Sequence, residues 1–363
     1  MDAMSPRERF ARTMRHEYTD RMIRTLDTGA SEGIAGPYIE KFRSATGADH
    51  PADYFDYDIR VVSPPLTPGN GDYSVFHPGA PPNAVFDEMG IGWVKSVEFP
   101  MGLVLAPWKQ YSDPRQIYDY PMPSFGVPAD YVAKIRDWQA KGYVVSSFCG
   151  AVNEWCYFLR DMEEFLIDMV QRPEMAEAVL VRVSELVLSM GTQMAEAGAD
   201  IVCFYGDVGG QDRLLCTPRA YRKWFKPHLE RIFAAAHRVN PEVKVFLHTC
   251  GHIVPIIADL VEVGVDILNP IQPETMDPFM VKREWGHQVV LWGGVGLQET
   301  MAQPSAEVVR ERTARLVRGW APGGGAIACP ANVLPIDVPW DNVVAFMETA
   351  EESSREEFAR LAT

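Results

Sequence analysis

His248 and Cys250, in the run His248-Thr249-Cys250-Gly251, set an imidazole and a thiol two residues apart, directly after the apolar run 243–247. In an extended strand, side chains at i and i+2 point to the same side. Both groups therefore leave the strand end together, and imidazole and thiolate are the donors that zinc prefers. A third soft donor, Cys329, follows another apolar run, 325–328. Zinc held by His248, Cys250 and Cys329 would keep a fourth position open, as catalytic sites do. A two-residue His-x-Cys also arises by chance, and free cysteines commonly pack as small hydrophobes. The metal reading therefore depends on the elements that carry these residues.

From residue 142 onward, short apolar runs (143–148, 200–205, 243–247, 265–268, 288–292 and 326–328) alternate with longer helical patterns. The helical stretches are 162–169, 173–191, 218–239, 252–263, 276–285 and 305–320. Two earlier apolar runs, 22–26 and 59–62, bring the strand candidates to eight. This alternation predicts a single α/β (β/α)₈ TIM barrel over residues 1–363. Ser5-Pro6-Arg7-Glu8 has the form of a capping box and predicts a first helix reaching about residue 16. Residues 64–128, rich in Pro and Gly, break the pattern, with strand-like pieces at 73–76, 83–86 and 91–97. They predict an inserted β-hairpin and loops beside the catalytic face.

In such a barrel, chemistry gathers at the C-terminal strand ends. The residues expected there are Asp27, Cys149 with Glu154, Asp207, His248 with Cys250, Asn269 with Gln272, Trp292, and Cys329 with Asn332. Glu154 could be a fourth ligand, a general acid, or a carboxylate favoured by a helix N-terminus. Asp207, in Gly206-Asp207-Val208-Gly209-Gly210-Gln211, could bind or protonate substrate, or bond its own turn. Tyr205, Gln211, Gln272, Trp292 and Asn332 are the expected substrate-binding residues. Cys149, Cys156, Cys203 and Cys216 are expected to pack, with no His or Arg beside them in the sequence.

A net charge of −15 and the lack of any Lys/Arg block argue against a nucleic-acid surface. No apolar run approaches the roughly 20 residues of a spanning helix, and the N-terminus has no apolar signal region. Six cysteines with no export signal then predict reduced thiols and a cytoplasmic protein that uses neither membrane nor nucleic acid.

Several motifs together resemble the uroporphyrinogen decarboxylase superfamily, which also contains zinc-dependent corrinoid methyltransferases. They are Asn153-Glu154-Trp155, the Gly206–Gln211 turn, Thr217-Pro218 through Lys226-Pro227, His248-Thr249-Cys250-Gly251, residues 264–273, Trp292-Gly293-Gly294-Val295, and Asp337-Val338-Pro339 with Asn342. Asp87-Glu88-Met89-Gly90-Ile91-Gly92-Trp93 is similar to the family's acidic-Trp-Gly hairpin. The decarboxylase proper carries a Met-Arg-Gln-Ala-Gly-Arg loop for its polycarboxylate substrate, and residues 25–31 here lack that basic cluster. The resemblance therefore points to the methyltransferase branch, with His248 and Cys250 as the first two zinc ligands. Counting back from Asp337, the family's later Cys falls on Asn332, with Cys329 three residues earlier. The implied function is metal-dependent methyl transfer between a small methylated donor, such as a methoxylated aromatic in an O-demethylating system, and a corrinoid on a separate partner protein. The alternative is a cofactor-independent decarboxylase or lyase acting on a small carboxylic acid, with Asp207 as proton donor. A binding protein on a decayed scaffold is a third class.

Overall fold

Eight short strands form one parallel sheet in the computed structural model, which describes residues 3–34, 36–95 and 102–362. In chain order they are β1 (Ile23–Arg24), β2 (Ile59–Val61), β3 (Val144–Ala151), β4 (Ile201–Tyr205), β5 (Lys244–His248), β6 (Ile267–Asn269), β7 (Val290–Val295) and β8 (Ala326–Pro330). Pairing runs from β2 through β3 to β8 and on to β1. The period of two turns alternate side chains inward. Ile23, Ile59, Val144, Ile201, Phe246, Ile267, Val290 and Ile327, one from each strand, share one buried cluster with Cys203, Trp292 and Cys329. The sheet therefore curls round a filled interior, and Phe10 of the first helix (Pro6–Met14) joins that cluster. Each large apolar side chain so buried contributes about 1.5–3 kcal/mol. All eight expected strands are present, and the fold is the α/β barrel that the alternation predicts.

The helices differ from expectation where local chemistry intervenes. Ser5 Oγ accepts the Glu8 N–H (3.2 Å), starting the first helix, which ends at Met14 with His16 in the left-handed region (φ 57°). The stretch 218–239 is two helices, Pro218–Trp224 and Lys226–Val239, parted where Pro227 has no N–H to give. A helix that the apolar pattern did not reveal, Val152–Arg160, continues straight out of β3. Within the inserted segment, Val85–Phe86, Gly92–Val94 and Leu103–Leu105 form a three-stranded antiparallel sheet. Tyr73–Phe76, expected as extended, is a 3₁₀ turn because Asp72 caps it by accepting the Ser74 N–H. Residues 96 and 97 of the expected piece 91–97 lie outside the described residues. Among the described residues, no helix is long and apolar enough to cross a membrane.

Arg160 fixes the helix that follows β3. Fully buried, it pairs with the equally buried Asp168 (Nε–Oδ2 2.8 Å). It also donates to the carbonyls of Trp108, Lys109 (3.2 Å) and Tyr111 (2.9 Å), tying the inserted segment to that helix. Removing Arg160 leaves Asp168 with the half-exposed Arg172 (Nε–Oδ1 2.6 Å) as its remaining partner and leaves the three carbonyls without their donor. Arg160→Met is therefore expected to cost about 1–3 kcal/mol, read as a lower urea midpoint at unchanged m. An unshifted midpoint would remove this pair from the account of how the helix is held.

Candidate metal centre

The register of three neighbouring strands sets the site's floor. Tyr205 pairs with His248, and His248 with Asn269, so their side chains form one row across β4, β5 and β6. The row lies one layer above Phe246 and Ile267, at the C-terminal ends. The rings of Tyr205 and His248 are 4.9 Å apart, and the Tyr205 hydroxyl donates to the Thr28 carbonyl. Asn269 Oδ1 lies 2.5 Å from His248 Nδ1, and Asn269 Nδ2 donates to the Trp292 carbonyl (2.9 Å). That second bond orients the amide with its oxygen toward the imidazole, so Nδ1 carries the proton. Nε2 is left with its lone pair, the form in which histidine binds a metal.

Two glycine contacts bring the other groups to Nε2. Gly251 is left-handed (φ 82°), and a Cβ on it would lie 2.4 Å from the Gly209 backbone. The turn after β4 therefore presses against the loop after β5, with the His252 N–H donating to the Gly210 carbonyl (2.7 Å). This contact brings Asp207 to Cys250, whose backbone N–H donates to Asp207 Oδ1 (2.7 Å). Cys250 Sγ is 3.2 Å and Asp207 Oδ1 3.8 Å from His248 Nε2. The three ligand atoms all lie within 4.8 Å of one another. Ligands 2.0–2.3 Å from a tetrahedral zinc are about 3.3–3.8 Å apart. An imidazole lone pair, a thiol and a carboxylate at these separations fit a zinc ion with little movement.

The electrostatics point the same way. Burial pushes the Cys250 thiol well above its ordinary range, and the charges of Asp207 and Glu154 push it further. Burial, with Asp207 adding to it, lifts the Glu154 carboxyl to about 7. Glu154 Oε2 is buried with no hydrogen-bond partner among the described residues. Anionic groups crowded beside a thiol oppose one another's ionisation, a conflict that a divalent cation relieves.

The structure brings together four of the five residues offered as metal ligands or proton-transfer groups. Glu154, Asp207, His248 and Cys250 share the site, whereas Cys329 is displaced from it. Cys329 lies within β8 at the parity of Ile327, fully buried in the barrel interior, with Sγ 3.3 Å from the Asp27 carbonyl. Asn332, two residues past that strand, reaches the site instead, its Nδ2 3.3 Å from Cys250 Sγ. Trp292 is likewise corrected from mouth to interior: it is fully buried, and its Nε1 donates to the Asp27 carbonyl (3.2 Å). Gln272 accepts the Gly251 N–H (3.3 Å) and so supports the ligand loop, while Gln211 is exposed on its turn. The role of Asn269 as the group that orients His248 was not read from the sequence. Its only signal was its place at a strand end.

Comparison with known proteins bears on the fold and its family. The uroporphyrinogen decarboxylase (URO-D) family profile matches residues 104–353. Among curated proteins, a methylcobamide:CoM methyltransferase of Methanosarcina barkeri is 21% identical over 194 residues, covering 53% of this chain and 54% of that protein. Its counterpart from strain Fusaro aligns to the same extent. The chain therefore spans about half the length of the curated relatives it matches. Among solved structures, a methyltransferase from Methanosarcina mazei superposes with a TM-score of 0.67 at 17% identity, covering 98% of this chain and 99% of that one. That likeness extends the shared fold over nearly the whole chain. With the family profile matching more than half of its residues, this chain belongs to the uroporphyrinogen decarboxylase family.

Proposed function

We propose that this chain is a metal-dependent methyltransferase. It moves a methyl group between a corrinoid carried by a separate protein and a small thiol or methylated donor. The observation that carries the reading is the convergence of His248 Nε2, Cys250 Sγ and Asp207 within 4.8 Å, with the imidazole lone pair already aimed inward. His248, Cys250 and Asp207 would hold zinc, which, when bound, acts as a Lewis acid that lowers the pKa of a substrate thiol or polarises an ether oxygen. The chain's own residues supply the rest. Glu154, whose carboxyl burial lifts to about 7, stands beside the donors as the group that exchanges a proton with the reacting sulfur or oxygen. Asn269 keeps His248 in one tautomer, and Tyr205 walls the imidazole. The kinship to methylcobamide:CoM methyltransferases supports a corrinoid partner and a thiol acceptor, and a methoxylated aromatic remains within the class of donor.

The direct test offers methylcobalamin and small thiols to the purified protein and follows loss of the cobalt–methyl bond by absorbance. Turnover is expected only with metal. Cys250→Ser should lose bound zinc and at least about 100-fold of the rate, since a neutral hydroxyl replaces a thiolate. Cys329→Ser should keep its zinc, because that sulfur belongs to the barrel interior. Methyl transfer that survives complete chelation would overturn the metal-dependent mechanism, and a zinc-loaded protein that transfers no methyl group but releases carbon dioxide from a small carboxylic acid would overturn the methyltransferase reading in favour of a decarboxylase centred on Asp207.

Glu154→Gln separates proton transfer from metal binding. It is expected to keep stoichiometric zinc while kcat falls by about 10²–10⁴-fold. Loss of zinc in that variant would instead make Glu154 a ligand.

A further inference from the structure

Asn332 lies in the loop leaving β8, half-buried, and the two ends of its amide are engaged differently. Its Oδ1 accepts the Val333 N–H at 2.7 Å, and its Nδ2 lies 3.3 Å from Cys250 Sγ. The first bond orients the amide, because an oxygen facing a backbone donor leaves the NH₂ group to face the sulfur. Asn269 is held in the opposite sense, its NH₂ on the Trp292 carbonyl and its oxygen on His248. Each amide thus presents to its neighbour the end that suits a metal-ligating state. Asn269 accepts from an imidazole that keeps a free lone pair. Asn332 donates to a sulfur, which as a thiol is a weak acceptor and as a thiolate a much better one. Among the described residues, His248 Nε2 and Asn332 Nδ2 are the nitrogen atoms within hydrogen-bond reach of that sulfur.

We infer that Asn332 is a positioning residue for the Cys250 thiolate, its amide N–H fixing the sulfur's direction and withdrawing electron density from it. The inference rests on the metal reading of His248, Cys250 and Asp207. It deepens that reading by assigning control of the ligand's donor strength to one side chain. Hydrogen bonds to a ligating atom tune how strongly it donates. A thiolate that accepts one holds its lone pairs at lower energy, so moving an electron from sulfur to metal takes more energy. The consequence is spectroscopic and does not depend on turnover.

The experiment is absorption spectroscopy of the whole protein loaded with Co²⁺, which reports the sulfur-to-cobalt charge-transfer band. Wild type is expected to bind one Co²⁺ and show this band. In Asn332→Ala the band is expected to move to longer wavelength, with its intensity still that of a single sulfur. Asn332→Ser serves as the second variant. Its hydroxyl can still accept a local backbone N–H, but it is too short to reach the sulfur. It should show the same shift, and it carries the test if the alanine variant fails to fold. A wild-type band position in Asn332→Ser would show that Asn332 serves only the turn, and would overturn the inference while leaving the metal reading standing. Absence of the band from wild type would overturn the metal reading and this inference together.

Discussion

Which nitrogen of His248 is free to bind a metal is decided one strand away. Parallel pairing of β5 with β6 puts Asn269 opposite His248, and the Trp292 carbonyl of β7 turns the Asn269 amide. Three strands thus fix one proton on Nδ1. A second constraint permits this arrangement. Gly293 has a φ of 134°, and a Cβ there would lie 1.7 Å from the Pro270 carbonyl, so β7 can sit this close to the chain leaving β6 only without a side chain. The sequence pair Trp292-Gly293 therefore serves the candidate ligand His248, which lies two strands away.

The same strands carry opposing costs. A buried thiol, a neighbouring aspartate and a nearly enclosed glutamate disfavour one another's charged forms, and burial is the largest cause of the upward shifts of Cys250 and Glu154. Clusters of this kind are expensive unless a counter-charge is bound. A divalent ion would supply two positive charges at the point where the three donors converge, and binding it would expel the thiol proton. The donor set is also harder than a two-thiolate site, because a carboxylate from the β4 loop stands where a second sulfur was expected. Asp207 reaches that place because Gly209 and Gly251 let two loops press together.

Much of this was legible in the sequence. Every barrel strand was marked by an apolar run, and the strand-end rule picked out Glu154, Asp207, His248 and Cys250. The misplacement of Cys329 and Trp292 has one cause: β7 and β8 run on to Val295 and Pro330, past the ends of their apolar runs. Trp292, which seemed to end its strand, and Cys329, which seemed to follow one, are thus inside their strands, at interior parity. The helix carrying Glu154 was legible only as one alternative for that carboxylate, because Ala151, its N-cap, gives no side-chain cap, and the strand flows into it without a turn residue. The amide locks at Asn269 and Asn332 depend on pairing register and loop path, and neither leaves a local pattern in the chain.

The central claim is a metal held by one sulfur, one imidazole and one carboxylate. X-ray absorption at the zinc edge of the metal-loaded protein measures that donor set directly. The account predicts a single sulfur at about 2.3 Å, with the remaining scatterers nitrogen and oxygen at about 2.0–2.2 Å. A shell of two sulfurs would place a second cysteine on the metal and contradict the interior position of Cys329. A shell with none would remove Cys250 from the site.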